Sequence, residues 1–221
     1  MQLPLNELFQ TVQGEGSRTG TPSTFVRLQG CNVGCPWCDT KNTWHMIDQA
    51  PLDAVLDKRE SDSRFAWVES GDLVARITKN SNARHVVITG GEPCQYDLTQ
   101  VTDLLIDAGR SVQIETSGTE PVRVARQTFV TMSPKVDMPG GRTVLDQTIE
   151  RADEFKMPVG KYADIGRLDE ILKRRCRAWV ASDIWLQPIS ESAKATELCR
   201  FVAADRGWRV SLQLHKVAGI R

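Results

Sequence analysis

The chain reads as an α/β protein built on a mostly parallel sheet, open or closed into a partial barrel. Short β-branched runs alternate with stretches of helical apolar spacing from residue 23 to residue 213, the order that stacks helices on a parallel sheet. The runs also end abruptly in Gly, Pro or small polar clusters, as strands do where they pass into loops.

Residues 23–29 (STFVRLQ) are the first expected strand, which leads straight into a loop holding three cysteines. Residues 47–70 depart from the rhythm, with many charges beside Phe65 and Trp67. They are expected as an insertion over the barrel surface, either a docking face or a solvated loop-helix. Residues 71–80 form the next convincing helix, and 83–89 (ARHVVIT) the second strand. Asp97 then opens a run with Leu98, Val101, Leu104 and Leu105 at helical spacing, which Asp97 can cap and Gly109 can end. Residues 111–115 (SVQIE) are the third strand, and 128–132, 154–157, 183–187 and 208–213 are further candidates. Helical patterns fill 166–175 and 191–206. The whole of 1–221 is expected to be one domain.

Composition excludes several classes of function. Lys plus Arg equals Asp plus Glu at 28 each, which argues against non-specific nucleic-acid binding while leaving room for a local anion pocket. Apolar runs are too short to cross a bilayer. Residues 1–10 have neither a basic start nor an apolar core, so a secretory signal and disulfides are not expected, and a cytoplasmic location is. Cys176 and Cys199 follow basic or apolar helical patterns and are expected to pack as small hydrophobes.

In a parallel α/β fold, ligands gather where strands end at their C-terminal edge. That rule puts five strand exits on one rim: the cysteine loop, Thr89 to Pro93 (TGGEP), Glu115 to Gly118 (ETSG), Ser133-Pro134-Lys135, and Gln187 to Ser190 (QPIS). Each alone reads as a turn; together with the cysteines they read as a cofactor site.

Cys31, Cys35 and Cys38 are spaced by three residues and then two. Such a loop offers three thiolates to one centre, whereas a closed structural metal site wants four ligands. Gly34 frees the backbone, Pro36 fixes one φ, and no charged side chain lies between the ligands. A zinc site completed by His45 and plain buried thiols are the competing readings. Zinc is disfavoured because the second Cys-x-x-Cys hook of a knuckle is missing.

This cysteine pattern resembles the cluster motif of the radical S-adenosylmethionine superfamily, and Gly91-Glu92 after the second strand resembles the segment that receives the cofactor's amino group there. The Phe9 to Gly16 segment, Arg27 to Cys31, Cys38-Asp39-Thr40, the ETSG exit and Ser133-Pro134-Lys135 together resemble the 7-carboxy-7-deazaguanine synthase family, over residues 2 to about 216. Many members carry a longer insert between the first two cysteines, and a subgroup has this short form. The resemblance implies a modified (βα) TIM-like barrel that converts 6-carboxy-5,6,7,8-tetrahydropterin to 7-carboxy-7-deazaguanine with loss of ammonia, in queuosine biosynthesis.

It also implies roles. Cys31, Cys35 and Cys38 would hold a 4Fe-4S cluster. Trp37, Cys38, Asp39, Gly91, Glu92, Ser133, Pro134, Lys135, Gln187, Pro188, Ile189 and Ser190 would hold S-adenosyl-L-methionine. Val12, Gln13, Gly14, Glu15, Arg27, Thr89 and His215 would hold the pterin, and Thr40 a Mg²⁺ ion. A homodimer, and an electron donor such as flavodoxin, are expected from the family. On chemistry alone Arg27 offers a fixed fork for a carboxylate; a strand arginine can also be a surface residue, but its position just ahead of the cysteine loop favours the functional reading. Thr40 offers the oxygen that Mg²⁺ prefers, and His215 is expected near the end of the last strand, within reach of the substrate. Two other readings stay open: a glycyl-radical activating enzyme, which would act on a protein, and a zinc-stabilised binding module without catalysis.

Overall fold

The structure, a computed structural model, describes residues 1–58, 61–176, 178–189 and 192–219. The chain begins with β1 (Gln2–Val12) and β2 (Pro22–Leu28), then β3 (Asp48–Gln49), α1 (Leu52–Leu56), β4 (Arg64–Glu69) and α2 (Ser70–Asn80). Strands and helices then alternate as β5 (His85–Gly90), α3 (Thr99–Asp107), β6 (Ser111–Thr116), β7 (Phe129–Met132), α4 (Asp146–Arg151), β8 (Glu154–Val159), α5 (Tyr162–Lys173), β9 (Ile184–Pro188), α6 (Ala193–Arg206), β10 (Arg209–Val210) and α7 (Leu214–Ala218).

Among the described residues ten strands form one sheet in the order β10-β9-β8-β7-β6-β5-β2-β1-β4-β3. From β2 through β10 every neighbouring pair is parallel. β1 lies antiparallel between β2 and β4. The order shows an open, partial barrel, as the alternation of strands and helices predicts.

Two apolar cores cover one face of this sheet. Val26 and Leu28, Val86 and Ile88, and Val112 and Ile114 join Leu73 and Ile77 of α2 and Val101 and Leu105 of α3. Phe155, Met157 and Leu186 meet Ile165 and Leu168 of α5 and Val202 of α6 in the second core. Each such fully buried side chain contributes on the order of 1.5–3 kcal/mol. α3 starts two residues after Asp97, with Leu98 at its N-cap position, and the Asp97 carboxylate accepts from Thr99 N at 3.0 Å. It stops at Gly109, whose φ of +75° is a left-handed position.

The structure corrects four expectations. The strand at 23–29 is second, because residues 2–12 already form β1, the longest strand of the sheet. Pro4, Asn6 and Glu7 interrupt its apolar pattern, and its pairing partners at 22–28 and 66–69 supply what local propensity lacks. The stretch 47–70 is more than a solvated loop-helix: it contains β4, and Val55, Phe65, Ala66 and Val68 are buried. The last strand shrinks from 208–213 to Arg209–Val210, which puts His215 on α7. Cys199 is buried as expected, but Cys176 is exposed.

Candidate active site

Side chains alternate across a strand, so the residues between the core-facing ones point to the other face of the sheet. On β2, β5, β6, β8 and β9 that face delivers Arg27, Thr89, Glu115, Lys156 and Gln187 to one cavity of about 420 Å³. Strands covered on both sides normally read as continuous apolar runs. Here the inner face carries charged and polar side chains among apolar ones such as Phe9 and Phe25, and it lines the cavity.

β1 reaches the cavity through a bulge. Leu5 pairs with Leu28, but the next pairs are Glu7 with Arg27 and Leu8 with Val26, so the register shifts between Leu5 and Glu7. Leu3 and Leu5 thus stay in the outer core, whereas Glu7, Phe9 and Thr11, of the same odd parity, line the cavity. Glu7 is buried and accepts the Arg27 Nε–H at 2.8 Å. The Arg27 guanidinium also lies 5.8 Å from the Phe9 ring centroid. Arg27 is therefore a held, oriented cation rather than a surface strand residue.

A second charged group comes from three distant segments. The Lys156 ammonium donates to Glu15, and to Glu115 Oε2 at 2.7 Å. Gln213 Nε2 donates to Glu15 Oε1 at 3.2 Å, and Gln13 Nε2 to Glu115 Oε1 at 3.2 Å. Burial alone would raise Glu15, but Lys156, aided by Gln213, outweighs it and holds this carboxyl below its usual value. For Glu115 burial wins over Lys156, and the neighbouring Glu15 charge adds to it, so the carboxyl is pushed up to about 7. Burial works against the Lys156 charge, yet the two carboxylates raise it above the ordinary lysine value. One lysine between two carboxylates leaves the group short of positive charge, and Glu115 is the carboxyl that takes up the proton.

The cysteine loop borders the same cavity, which Cys31, Cys35 and Cys38 all line. Gly34 sits in it at φ +72°, where a side chain would be strained. The loop is pinned from below: a Cβ on Gly91 would lie 2.0 Å from Gly30 O, so only glycine lets these backbones meet. Burial pushes the Cys31 and Cys35 thiols up. Among the described residues no three His, Cys, Asp or Glu side chains gather closely enough to hold a single metal ion. Three thiols lining one cavity fit a multi-iron cluster that takes one thiolate per iron.

Glu92 is almost wholly buried and accepts from Cys94 N at 3.0 Å, Thr116 Oγ1 at 2.7 Å and Ser117 N at 2.7 Å. These bonds tie the β5 exit to the β6 exit. A carboxylate has about four lone-pair sites, so three accepted bonds leave capacity for roughly one more donor. The Lys135 ammonium donates to Ser133 O at 2.9 Å and to Ser133 Oγ at 2.5 Å, and burial lowers it.

The C-terminal segment also lines the cavity, through Gln213, His215 and Lys216. Leu214 N donates to Gly14 O at 3.2 Å, and Gly16 N to Ser211 Oγ at 3.0 Å. Lys216 pairs with Asp39 at 3.1 Å, beside the third cysteine. Thr40 N donates to Cys38 Sγ at 3.4 Å.

Of the residues singled out from the sequence, Val12, Gln13, Gly14, Glu15, Arg27, Thr89 and His215 line the cavity, with Trp37, Asp39, Thr40, Gly91, Glu92, Ser133, Lys135, Gln187, Pro188 and Ile189. Pro134 lies instead on an adjoining pocket of about 320 Å³ that it shares with Trp37 and Ile189. Ser190 lies outside the described residues. Glu7, Lys156, Gln213 and Lys216 also line the cavity, as does Glu115, which sequence reasoning had placed only on the rim. For Lys156 a signal was present, since a lysine flanked by Phe155, Met157, Pro158 and Val159 in one strand must find a partner.

Residues 25–134 match the model of the radical SAM superfamily. The 7-carboxy-7-deazaguanine synthase of Escherichia coli K12 is 50% identical, with 100% of each chain covered. That of Buchnera aphidicola subsp. Schizaphis graminum is 42% identical over 100% of each, and that of Flavobacterium psychrophilum 34% over 99% of this chain and 92% of its own. The crystal structure of QueE from Escherichia coli superposes with a TM-score of 0.91 at 50% identity, covering 97% of this chain and 95% of that one.

Proposed function

Because the chain belongs to the 7-carboxy-7-deazaguanine synthase family of the radical S-adenosylmethionine superfamily, we propose that its cavity converts 6-carboxy-5,6,7,8-tetrahydropterin to 7-carboxy-7-deazaguanine with release of ammonia. One observation carries this reading: the three cysteines and two separate charged groups, Arg27–Glu7 and Glu15–Lys156–Glu115, share a single cavity. A glycyl-radical activating enzyme acting on a protein has no use for two such groups sunk into its sheet. When bound, the 4Fe-4S cluster and S-adenosylmethionine supply the radical chemistry of the superfamily.

The chain's own residues bind, orient and exclude water. Cys31, Cys35 and Cys38 hold the cluster. Gly91 brings backbone close to the cofactor, and the remaining acceptor capacity of Glu92 suits its amino group. Ser133, Lys135, Gln187, Pro188 and Ile189 complete its surroundings, with Trp37 and Pro134 on the adjoining pocket. Arg27, aimed by Glu7, receives the substrate carboxylate. Glu115, Glu15 and the Gln13 amide face the hydrogen-bonding edge of the pterin, and His215 on α7 covers it. Thr40, next to Asp39 on the cavity wall, offers Mg²⁺ one oxygen beside the substrate carboxylate and waters.

Among the described residues no helix is long and apolar enough to cross a membrane. A cytoplasmic enzyme, a homodimer and a flavodoxin-type electron donor complete the proposal. Anaerobic incubation of the reduced, cluster-loaded protein with S-adenosylmethionine and 6-carboxytetrahydropterin tests it. The deazaguanine product is expected, and cofactor cleavage without that product overturns the reading.

A further inference from the structure

Behind the cavity a line of hydrogen bonds runs across four strands. His85 on β5 is buried, with Nδ1 2.8 Å from Ser111 Oγ and Nε2 2.9 Å from Gln113 Oε1. The Gln113 amide nitrogen donates to Glu115 Oε1 at 3.1 Å and to Thr131 Oγ1 at 2.8 Å. Thr131 Oγ1 in turn donates to Glu154 Oε1 at 2.8 Å. Ser111, Gln113 and Glu115 alternate with the core residues Val112 and Ile114, so they share the inner face of β6.

Donor counting gives the line one direction. The Thr131 hydroxyl has a single proton, which Glu154 takes, so Thr131 must accept from Gln113. Turning the amide over would leave Thr131 without a donor. The amide oxygen therefore faces His85, whose Nε2 must carry the proton. Burial lowers His85, which keeps the ring neutral with Nδ1 accepting from Ser111. Every polar atom of the Gln113 side chain is then engaged, and a fully satisfied buried network is rigid.

We propose that Gln113, locked by His85, is a positioning residue that aims the Glu115 carboxylate into the cavity and thereby fixes the pterin's hydrogen-bonding edge. The inference rests on the reading of Glu115 as a substrate-facing group. The charged groups around Glu115 are Lys156 and Glu154 on β8, Glu15 in the loop after β1 and Lys135 after β7. His85 reaches it only through Gln113. Gln113 donates to the ionised carboxylate, so its removal favours the protonated form.

The test measures 6-carboxypterin binding to the cluster-loaded protein by calorimetry, together with pH profiles of turnover, for Gln113→Leu, His85→Leu and His85→Gln. Gln113→Leu should weaken 6-carboxypterin binding and raise KM about tenfold, with kcat within about threefold and cofactor cleavage without substrate unchanged. The acid limb of kcat/KM should move to higher pH, an effect that a merely structural loss would not produce. His85→Leu should do the same more weakly, and His85→Gln, whose amide nitrogen can replace the Nε2 donor, should restore most of it. If Gln113→Leu does not fold, the two His85 variants decide. Unchanged binding and an unmoved acid limb in the leucine variants overturn the proposal. Glu115→Gln separates the two levels. If Glu115→Gln leaves binding intact, the reading of Glu115 itself fails and the positioning role falls with it. If Glu115→Gln weakens binding while the leucine variants do not, the positioning role alone fails.

Discussion

Glu7 stands opposite Arg27, and accepts its Nε–H at 2.8 Å, only because the β1 register slips between Leu5 and Glu7. In an unbroken ladder Asn6 would face Arg27 and Glu7 would face Val26. One extra residue thus turns the inner half of β1 from core to cavity.

Arg27→Lys keeps the charge but loses the planar fork and the Nε bond to Glu7. It should lower kcat/KM for the pterin by about 10–150-fold, the equivalent of roughly 1.5–3 kcal/mol for a charge-assisted bond. Iron content and uncoupled cofactor cleavage should stay at wild-type level. Steady-state kinetics beside an iron assay checks both, and unaltered affinity would remove Arg27 as the carboxylate anchor.

Cys31→Ala, Cys35→Ala and Cys38→Ala should each abolish cluster assembly. Cys176→Ala should be silent, because that thiol is exposed, and Cys199→Ala should cost only ~1 kcal/mol of stability from its buried position. Iron and sulfide analysis with the absorption spectrum after reconstitution reads the outcome. A normal cluster in any of the first three variants would contradict the assignment.

Lys156→Met strands Glu15 and Glu115 in a largely buried site, with side-chain exposures of 17% and 15%. Breaking a buried ion pair costs about 3–5 kcal/mol, so the lower end is expected here, a loss of roughly 6–12 °C in Tm for a chain of this size. Thermal melts of the cluster-free proteins give the comparison.

The Glu115 carboxyl, pushed up to about 7 by burial, makes stability depend on pH near neutrality. A raised value means the folded chain binds the proton more tightly than the unfolded one. Its contribution is complete below the unfolded value of about 4.5 and is lost as pH rises through about 7. Glu15, lowered by Lys156, has the opposite sign and loses its contribution only as the solution becomes acidic. Denaturant midpoints from pH 5 to pH 8 should therefore fall more steeply in the wild type than in Glu115→Gln.

Magnesium should stimulate turnover, and Thr40→Val, which keeps the shape but removes the hydroxyl oxygen, should cancel that stimulation. Thr40→Ser should preserve much of it. Mg²⁺ titrations with and without pterin test the point, and equal stimulation of wild type and Thr40→Val would place the ion elsewhere.

What the sequence determined by itself is local. The three-then-two cysteine spacing, the glycines and prolines at strand exits, the Asp97 bond to Thr99, the apolar run within 83–89 and the alternation along 111–115 involve residues a few positions apart, and all survive in the fold. They sufficed for the sheet, the rim and most of the cavity wall. What only the tertiary structure decided depends on distant pairing. β1 was hidden because Pro4, Asn6 and Glu7 spoil its alternation, and its bulge exists only against β2. Lys156 meets Glu15 across 141 residues and Glu115 across 41, and Gln213 meets Glu15 across 198. The raised Glu115 carboxyl follows from burial between those groups, an environment that no window of sequence contains. Local propensity names the strand exits; the pairing of distant strands chooses which charges face one another.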